Sequence, residues 1–296
     1  MKKIFDIHTD ILYDVYTAYL KNDKNRFKDY HVKQLSNSVI KGGVWTLFSP
    51  DEFNLLEALK ISLDNIDFNL LKDFNVILGL ESLRNLKSLE DFEKIYNLGF
   101  RHAMLTWNEE NEYATGVAGN PNRGVTKKGF KVLDFMIEKD MIIDVSHLNE
   151  KSFYDVLNYT NKNVIASHSN SKNLCNHRRN LSLEQLKRLK DADALVGLTL
   201  AGAFIDKDQN NRTIDQFLNH LDEVVSIMSV NNVCFGFDFM DYFGNEVTSN
   251  IESVPNATYA HKILEAMAKR GYSDEDIRKI AHDNFYNRFS HLIYNK

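Results

Sequence analysis

A short β-type run followed by an amphipathic helical stretch recurs eight times along this chain, and no other feature restricts its fold as strongly. The runs cover residues 4–8, 43–49, 75–81, 101–107, 141–147, 163–168, 194–200 and 232–238. Each is rich in Val, Ile, Leu or Phe, the composition of strands buried on both faces. Between them, residues 52–72 carry Leu55, Leu56, Leu59, Leu63 and Ile66 near helical spacing. Residues 127–139 follow a Thr126 N-cap and show Phe130, Leu133, Met136 and Ile137 on one face. Stretches 149–159, 182–191 and 213–229 behave similarly, and Ser273 with Asp276 forms a capping pair that opens a C-terminal helix reaching His291. Buried strands alternating with helices make a parallel sheet with helices outside, and eight is the number that closes a (β/α)8 TIM barrel. An open doubly wound sheet is the alternative, but no glycine-rich phosphate turn follows the first run. The expectation is a single α/β domain over residues 1–296, a (β/α)8 barrel.

Polar residues with metal-binding chemistry fall at the ends of these runs. His8 ends the first, and Asp10, two residues on, projects to the same side. Glu81 ends the third, His147 the fifth, His168 the sixth and Asp238 the eighth. In a closed barrel all strand C-termini meet at one mouth, so six ligands from five strands point into one small volume. Taken singly, a strand-end His is usually a hydrogen-bonded rim residue and a strand-end Asp caps the next helix. Six at one rim are not explained that way. Three imidazoles and three carboxylates suit zinc, with manganese or cobalt as substitutes. Without cations the carboxylates would raise one another's pKa, and six ligands fit two ions sharing a bridging carboxylate. Among the other histidines, His31, His220, His261, His282 and His291 read as surface or packing residues. His102 opens the fourth run and so lies far from the mouth. Asp144, three positions before His147, is expected to face away from the barrel axis, and His177 stays ambiguous beside Arg178 and Arg179.

Bulk properties narrow the class. A formal charge of -5 offers no electrostatic reason to bind nucleic acid or an anionic membrane. No apolar stretch approaches the roughly 20 residues that span a bilayer. Met1-Lys2-Lys3 imitates the start of a secretory signal, but Asp6, Asp10 and Asp14 interrupt the apolar run that should follow. Two cysteines, Cys175 and Cys234, make neither a disulfide framework nor a zinc finger, which fits a reduced, cytoplasmic setting.

Several segments make the sequence recognisable. They are Asp6-Ile7-His8-Thr9-Asp10, Gly79-Leu80-Glu81, Leu105-Thr106-Trp107-Asn108 and Ile143-Asp144-Val145-Ser146-His147. Ser167-His168-Ser169 with Cys175 and Arg178-Arg179-Asn180 follow, then Gly236-Phe237-Asp238-Phe239 and Asn284-Phe285 with Arg288. In their order and spacing the chain resembles the membrane (renal) dipeptidase family, peptidase family M19, among the amidohydrolase-like metal-dependent hydrolases. The resemblance implies a zinc-dependent dipeptidase with two Zn2+ per chain. His8 and Asp10 would bind one ion and His147 and His168 the other, with Glu81 bridging. Asp238 would approach the first ion and shuttle the proton, so Asp238 and Glu81 are the expected catalytic residues. Arg179 matches the family arginine that grips the substrate's terminal carboxylate, a task suited to its fork of donors. Trp107 stands where the animal enzymes carry a histidine proposed to stabilise the tetrahedral intermediate. That leaves Asn108, His177 or the second zinc to support the oxyanion, with Trp107 and Asn108 as further substrate-binding candidates. The resemblance also implies a homodimer.

The expected reaction is hydrolysis of a dipeptide, including members with a C-terminal D-residue, by a metal-bridging hydroxide. The segment 109–124, after the fourth run, should form a wall or lid over the mouth. Other readings stay open: an amidohydrolase acting on N-acyl amino acids, lactones or phosphoesters, or a non-catalytic binding barrel. A nuclease fits poorly, because no basic aromatic groove is present.

Overall fold

The computed structural model describes residues 2–244 and 250–295. Its strands are β1 (Ile4–Thr9), β2 (Ile40–Phe48), β3 (Asn75–Glu81), β4 (Phe100–Met104), β5 (Ile142–Asp144), β6 (Val164–Ala166), β7 (Leu195–Leu198) and β8 (Val233–Phe235). Each pairs in parallel with the next, and β8 returns to β1, so the sheet closes into a barrel with its helices outside. All eight expected runs are strands. The later ones leave the ladder earlier than their apolar composition implies, so His147, His168 and Asp238 stand just beyond the last paired residues of β5, β6 and β8.

Local chemistry explains the helix boundaries. Thr126 caps Lys127–Glu138 by accepting from the Gly129 amide, and Ser182 with Gln185 forms a reciprocal capping box on Leu183–Asp191. Ser273 accepts from the Asp276 amide and opens the C-terminal helix, which widens into a π turn at Lys279–Asp283 before continuing as Asn284–Phe289. The helix expected over 52–72 is shorter. Asn54 caps Leu55–Asp64, and only a single 3-10 turn, Phe68–Leu70, follows.

Alternation along the strands divides the core into two. Ile4, Leu78, Leu80, Ala103 and Ile143 belong to the layer between sheet and helices. Phe5, Ile7, Val44, Ile77, Ile142, Ile165, Leu195 and Cys234 fill the barrel interior, and Phe285, Phe289 and Leu292 pack against them. The ring of Phe285 lies 5.0 Å from that of Phe5, so the C-terminal helix plugs the end of the barrel where the strands begin. The opposite end is left to polar groups.

Near that polar end the backbones crowd. A Cβ on Gly197 would lie 2.0 Å from the Ser167 carbonyl oxygen, and one on Gly236 would lie 1.9 Å from the same atom. Only glycine lets β7 and β8 approach the end of β6 so closely. Gly236→Ala should therefore destabilise the protein by about 1–3 kcal/mol through overpacking, read as a lowered urea midpoint. An unchanged midpoint would contradict the close approach.

Candidate metal centre

Three backbone devices bring the strand-end residues to one place. Glu81 closes β3 on the same face as Ile77 and Gly79 and needs only regular alternation to point inward. On β1 the register against β2 shifts between Asp6 and Thr9, which re-aims His8 and Asp10 toward the rim. His147 and Asp238 adopt left-handed backbone, with φ of 70° and 55°. That conformation is unusual for residues with side chains and turns them back over the mouth.

The result is a buried cluster. The Nε2 of His8 lies 3.9 Å from Asp10 Oδ2, 3.8 Å from Glu81 Oε1 and 3.8 Å from Asp238 Oδ1. Glu81 Oε1 is also 2.8 Å from His147 Nε2 and 3.8 Å from His168 Nε2, and those two nitrogens are 2.8 Å apart. The His8 and His168 rings stack at 3.8 Å. Two overlapping groups, His8-Glu81-His168 and His8-Asp10-Asp238, each keep their ligand atoms within 4.8 Å of one another. All six side chains are buried except that of Asp238, which is 15% exposed.

The charge pattern is unfavourable for protein atoms alone. Burial lifts the Asp10 carboxyl to about 7, with Asp238 adding to the effect, and lifts Asp238 to about 6 against the opposing pull of Arg179. Glu81 is raised well above the ordinary range, by burial first and then by Asp10 and Asp238. Burial also pushes the His8 imidazole down to about 3 and holds His147 and His168 well below their usual value. Among the described residues neither ring nitrogen of His8 has a hydrogen-bond partner, an expensive arrangement for a fully buried imidazole. Ligand atoms at about 2.0–2.2 Å from a shared ion sit roughly 3–4 Å apart, which is the spacing found around His8. The donor set fits divalent cations.

A surrounding shell, largely hidden in the sequence, holds the cluster. Thr46 Oγ1 donates to Asp10 Oδ1 at 2.6 Å, and the Asp10 amide donates to the Tyr242 hydroxyl at 2.9 Å. His147 Nδ1 meets Asn108 Oδ1 at 3.0 Å, and His168 Nδ1 meets Ser167 Oγ at 2.7 Å. Two expectations need correction here. Asp144 faces into the barrel, sharing a face with Ile142, and its Oδ2 lies 2.9 Å from His102 Nε2. His102 is therefore not remote: its ring packs against Gly79, one layer below Glu81 in the barrel wall. Asp144 Oδ1 accepts from the Ser146 and Ser167 amides at 2.9 and 3.1 Å, one residue before His147 and His168. Burial alone would raise the Asp144 carboxyl, but the bonds from His102, Ser167 and Ser146 outweigh it and hold the carboxyl below its usual range.

Around the rim, Arg179 is buried, and its Nη2 donates to His168 Nε2 at 2.8 Å while its Nε has no partner among the described residues. Burial lowers the Arg179 guanidinium to about 10, against the pull of Glu81 and Asp238. His177 stacks on Phe204 at 4.4 Å, and its Nδ1 accepts from the Arg179 amide at 3.3 Å. Trp107 packs edge-on to Phe48 at 5.1 Å and lies 5.9 Å from the His147 ring. The 109–124 segment is pinned beside the mouth, with the Val117 amide donating to the His147 carbonyl and Asn149 Nδ2 donating to the carbonyls of Asn120 and Arg123. It forms a wall. The remaining histidines are packing or surface groups: His220 is buried between the Ser171 amide and the Ile205 carbonyl, and His31 bonds Asp14.

The sequence profile of membrane dipeptidases (peptidase family M19) matches residues 68–291, about three quarters of the chain. The chain belongs to the membrane dipeptidase family. That membership makes it an enzyme of the metallo-dipeptidase class. An uncharacterized protein of Klebsiella pneumoniae, from the pqqA 5' region, is 27% identical over 204 residues, covering 66% of this chain and 73% of that protein. An uncharacterized dipeptidase of Schizosaccharomyces pombe is 32% identical over 170 residues, 55% of this chain but 41% of its own length. A crystal structure of a metallopeptidase from Rhodobacter sphaeroides, liganded with a phosphinate mimic of the dipeptide L-Ala-D-Ala, superposes with a TM-score of 0.84 at 20% identity. The superposition covers 98% of this chain and 99% of that one, a likeness of fold throughout the barrel.

Because Asp144 ties together the backbones that carry two cluster histidines, Asp144→Ala should cost about 3–5 kcal/mol, measured by equilibrium urea unfolding. Asp144→Asn, which keeps the Oδ1 acceptor, should cost less. Equal, small losses for both would show that the pairing carries no weight.

Proposed function

We propose that this chain hydrolyses dipeptides and that His8, Asp10, Glu81, His147, His168 and Asp238 would hold two zinc ions for that reaction. One observation carries the reading. Six ligand groups from five strands converge in a buried rim where His8 has no hydrogen-bond partner among the described residues and the carboxyls resist ionising together. Manganese or cobalt would satisfy the same donors. Bound divalent ions supply Lewis-acid chemistry, acidifying water and polarising a carbonyl oxygen.

The chain's own residues do the rest. Asp238, partly open at the mouth, takes the proton released as water attacks the peptide carbonyl and returns it to the departing amine. Arg179 receives the substrate's C-terminal carboxylate, and its Nε, without a partner among the described residues, supports that role. Asn108 holds the His147 ring, and Trp107 lines the mouth beside it. The wall formed by 109–124 limits the length of peptide that fits. A C-terminal D-residue is accepted as well, a reading supported by the dipeptide mimic bound to the Rhodobacter sphaeroides relative. The free, buried thiols of Cys175 and Cys234 support a reducing, cytoplasmic setting.

Metal analysis coupled to a panel of L,L- and L,D-dipeptides, tripeptides and N-acetyl amino acids tests the reading. Two zinc ions per chain, rapid dipeptide cleavage and much slower tripeptide cleavage are expected. Preference for N-acetyl amino acids would point to a different amidohydrolase, and metal-loaded protein inert toward all of them would point to a binding barrel. Asp238→Asn should lower kcat by about 10²–10⁴ with an unchanged circular dichroism spectrum, and near-wild-type turnover would remove Asp238 from the proton path. Chelation should lower Tm, and zinc should restore it, because an ion bound only by the native state stabilises that state. A Tm indifferent to both would contradict the site.

A further inference from the structure

We infer that the mouth selects dipeptides with a bulky apolar, and above all aromatic, N-terminal residue; the inference rests on the dipeptidase reading above and specifies its substrate. Phe48 is the last residue of β2 and has the inward alternation of Val44 and Thr46. Thr46 touches Asp10 one layer below, so Phe48 stands at the rim directly above the cluster. Its ring meets Tyr13 at 5.2 Å, Trp107 at 5.1 Å and Phe243 at 6.4 Å, and Tyr13 also meets Phe243 at 5.7 Å. Tyr13 comes from the helix after β1, Phe48 from β2, Trp107 from the loop after β4 and Phe243 from the turn after β8, yet they form one contiguous patch that begins beside His147.

None of the four is fully buried. A core cluster would hide its rings, whereas these keep part of their surface open at the mouth, and no charged side chain is among them. Partly open apolar rings beside convergent polar groups are how sites recognise apolar side chains.

Topology sets which end of the substrate meets this face. In a closed ring of eight strands, β2 and β6 lie opposite one another. Arg179 follows β6 and lies against His168, while the aromatic face is centred on β2. An extended dipeptide spans about 7 Å. With its carboxylate on Arg179 and its peptide bond over the cluster, its N-terminal side chain is carried across to Phe48, Tyr13, Trp107 and Phe243.

The test is a rate series on zinc-loaded enzyme with Gly-Ala, Ala-Ala, Leu-Ala and Phe-Ala, set beside Ala-Gly and Ala-Phe. The wild type should show kcat/KM rising about tenfold or more from Gly-Ala to Phe-Ala, with a much smaller spread between Ala-Gly and Ala-Phe. In Phe48→Ala the Phe-Ala to Gly-Ala ratio should fall about tenfold, and Phe48→Leu should retain part of it. Each ratio is internal to one preparation, so partial loss of folded protein cancels, and the wild-type series stands even if Phe48→Ala does not fold. Efficient cleavage with a flat series, a preference for N-terminal Gly or charged residues, or size dependence only at the C-terminal position would overturn the selectivity and leave the dipeptidase reading intact. Failure to cleave any of the six would overturn the dipeptidase reading itself.

Discussion

Closure of the sheet depends on the seam between β1 and β8, where the strands register through Asp6 opposite Phe235. Asp6 is buried, and its Oδ1 accepts from the Phe237 amide at 2.8 Å, extending the seam beyond the last paired residue. Burial raises its carboxyl to about 8, against the pull of the Phe237 and His8 amides. The same stretch of β1 carries His8, and the His8 carbonyl accepts from the Asp238 amide, so the seam and the cluster share backbone. Without this join, β1 and β8 would lie at opposite edges of an open sheet. His8 and Asp238 could not then face one another.

Once closed, the barrel has two unlike ends. Phe5, Phe285 and Phe289 seal one with apolar rings, and three acids with three imidazoles occupy the other. The sealed end contributes burial and dispersion, the ordinary source of stability. The polar end runs against stability, because carboxyls are crowded out of water and a buried imidazole lacks partners among the described residues. Left-handed backbone at His147 and Asp238 adds to that cost. Such local conflict in an otherwise consistent fold is expected where residues are retained for chemistry.

The shell around the cluster translates barrel geometry into ligand geometry. Asp144 links the backbones leading into His147 and His168, Thr46 orients Asp10, and Asn108 and Ser167 meet the outer nitrogens of two histidines. Apart from the Ser146 amide on Asp144 and Ser167 on its neighbour His168, these contacts join residues far apart along the chain. They arise because adjacent strands present inward residues at one height.

The sequence by itself determined the number of strands, their parallel closure and the six polar residues at their ends, because alternation of apolar runs with helical periodicity is a local signal carried by each segment. It also carried the Thr126, Ser182 and Ser273 helix starts, since a cap is made by residues three apart. Tertiary structure alone decided the inward turn of Asp144 and its pairing with His102, because the facing of a residue near a strand end depends on where the ladder stops. It alone assembled Tyr13, Phe48, Trp107 and Phe243 into one face, since those residues become neighbours only when the ends of separate strands meet around a closed ring.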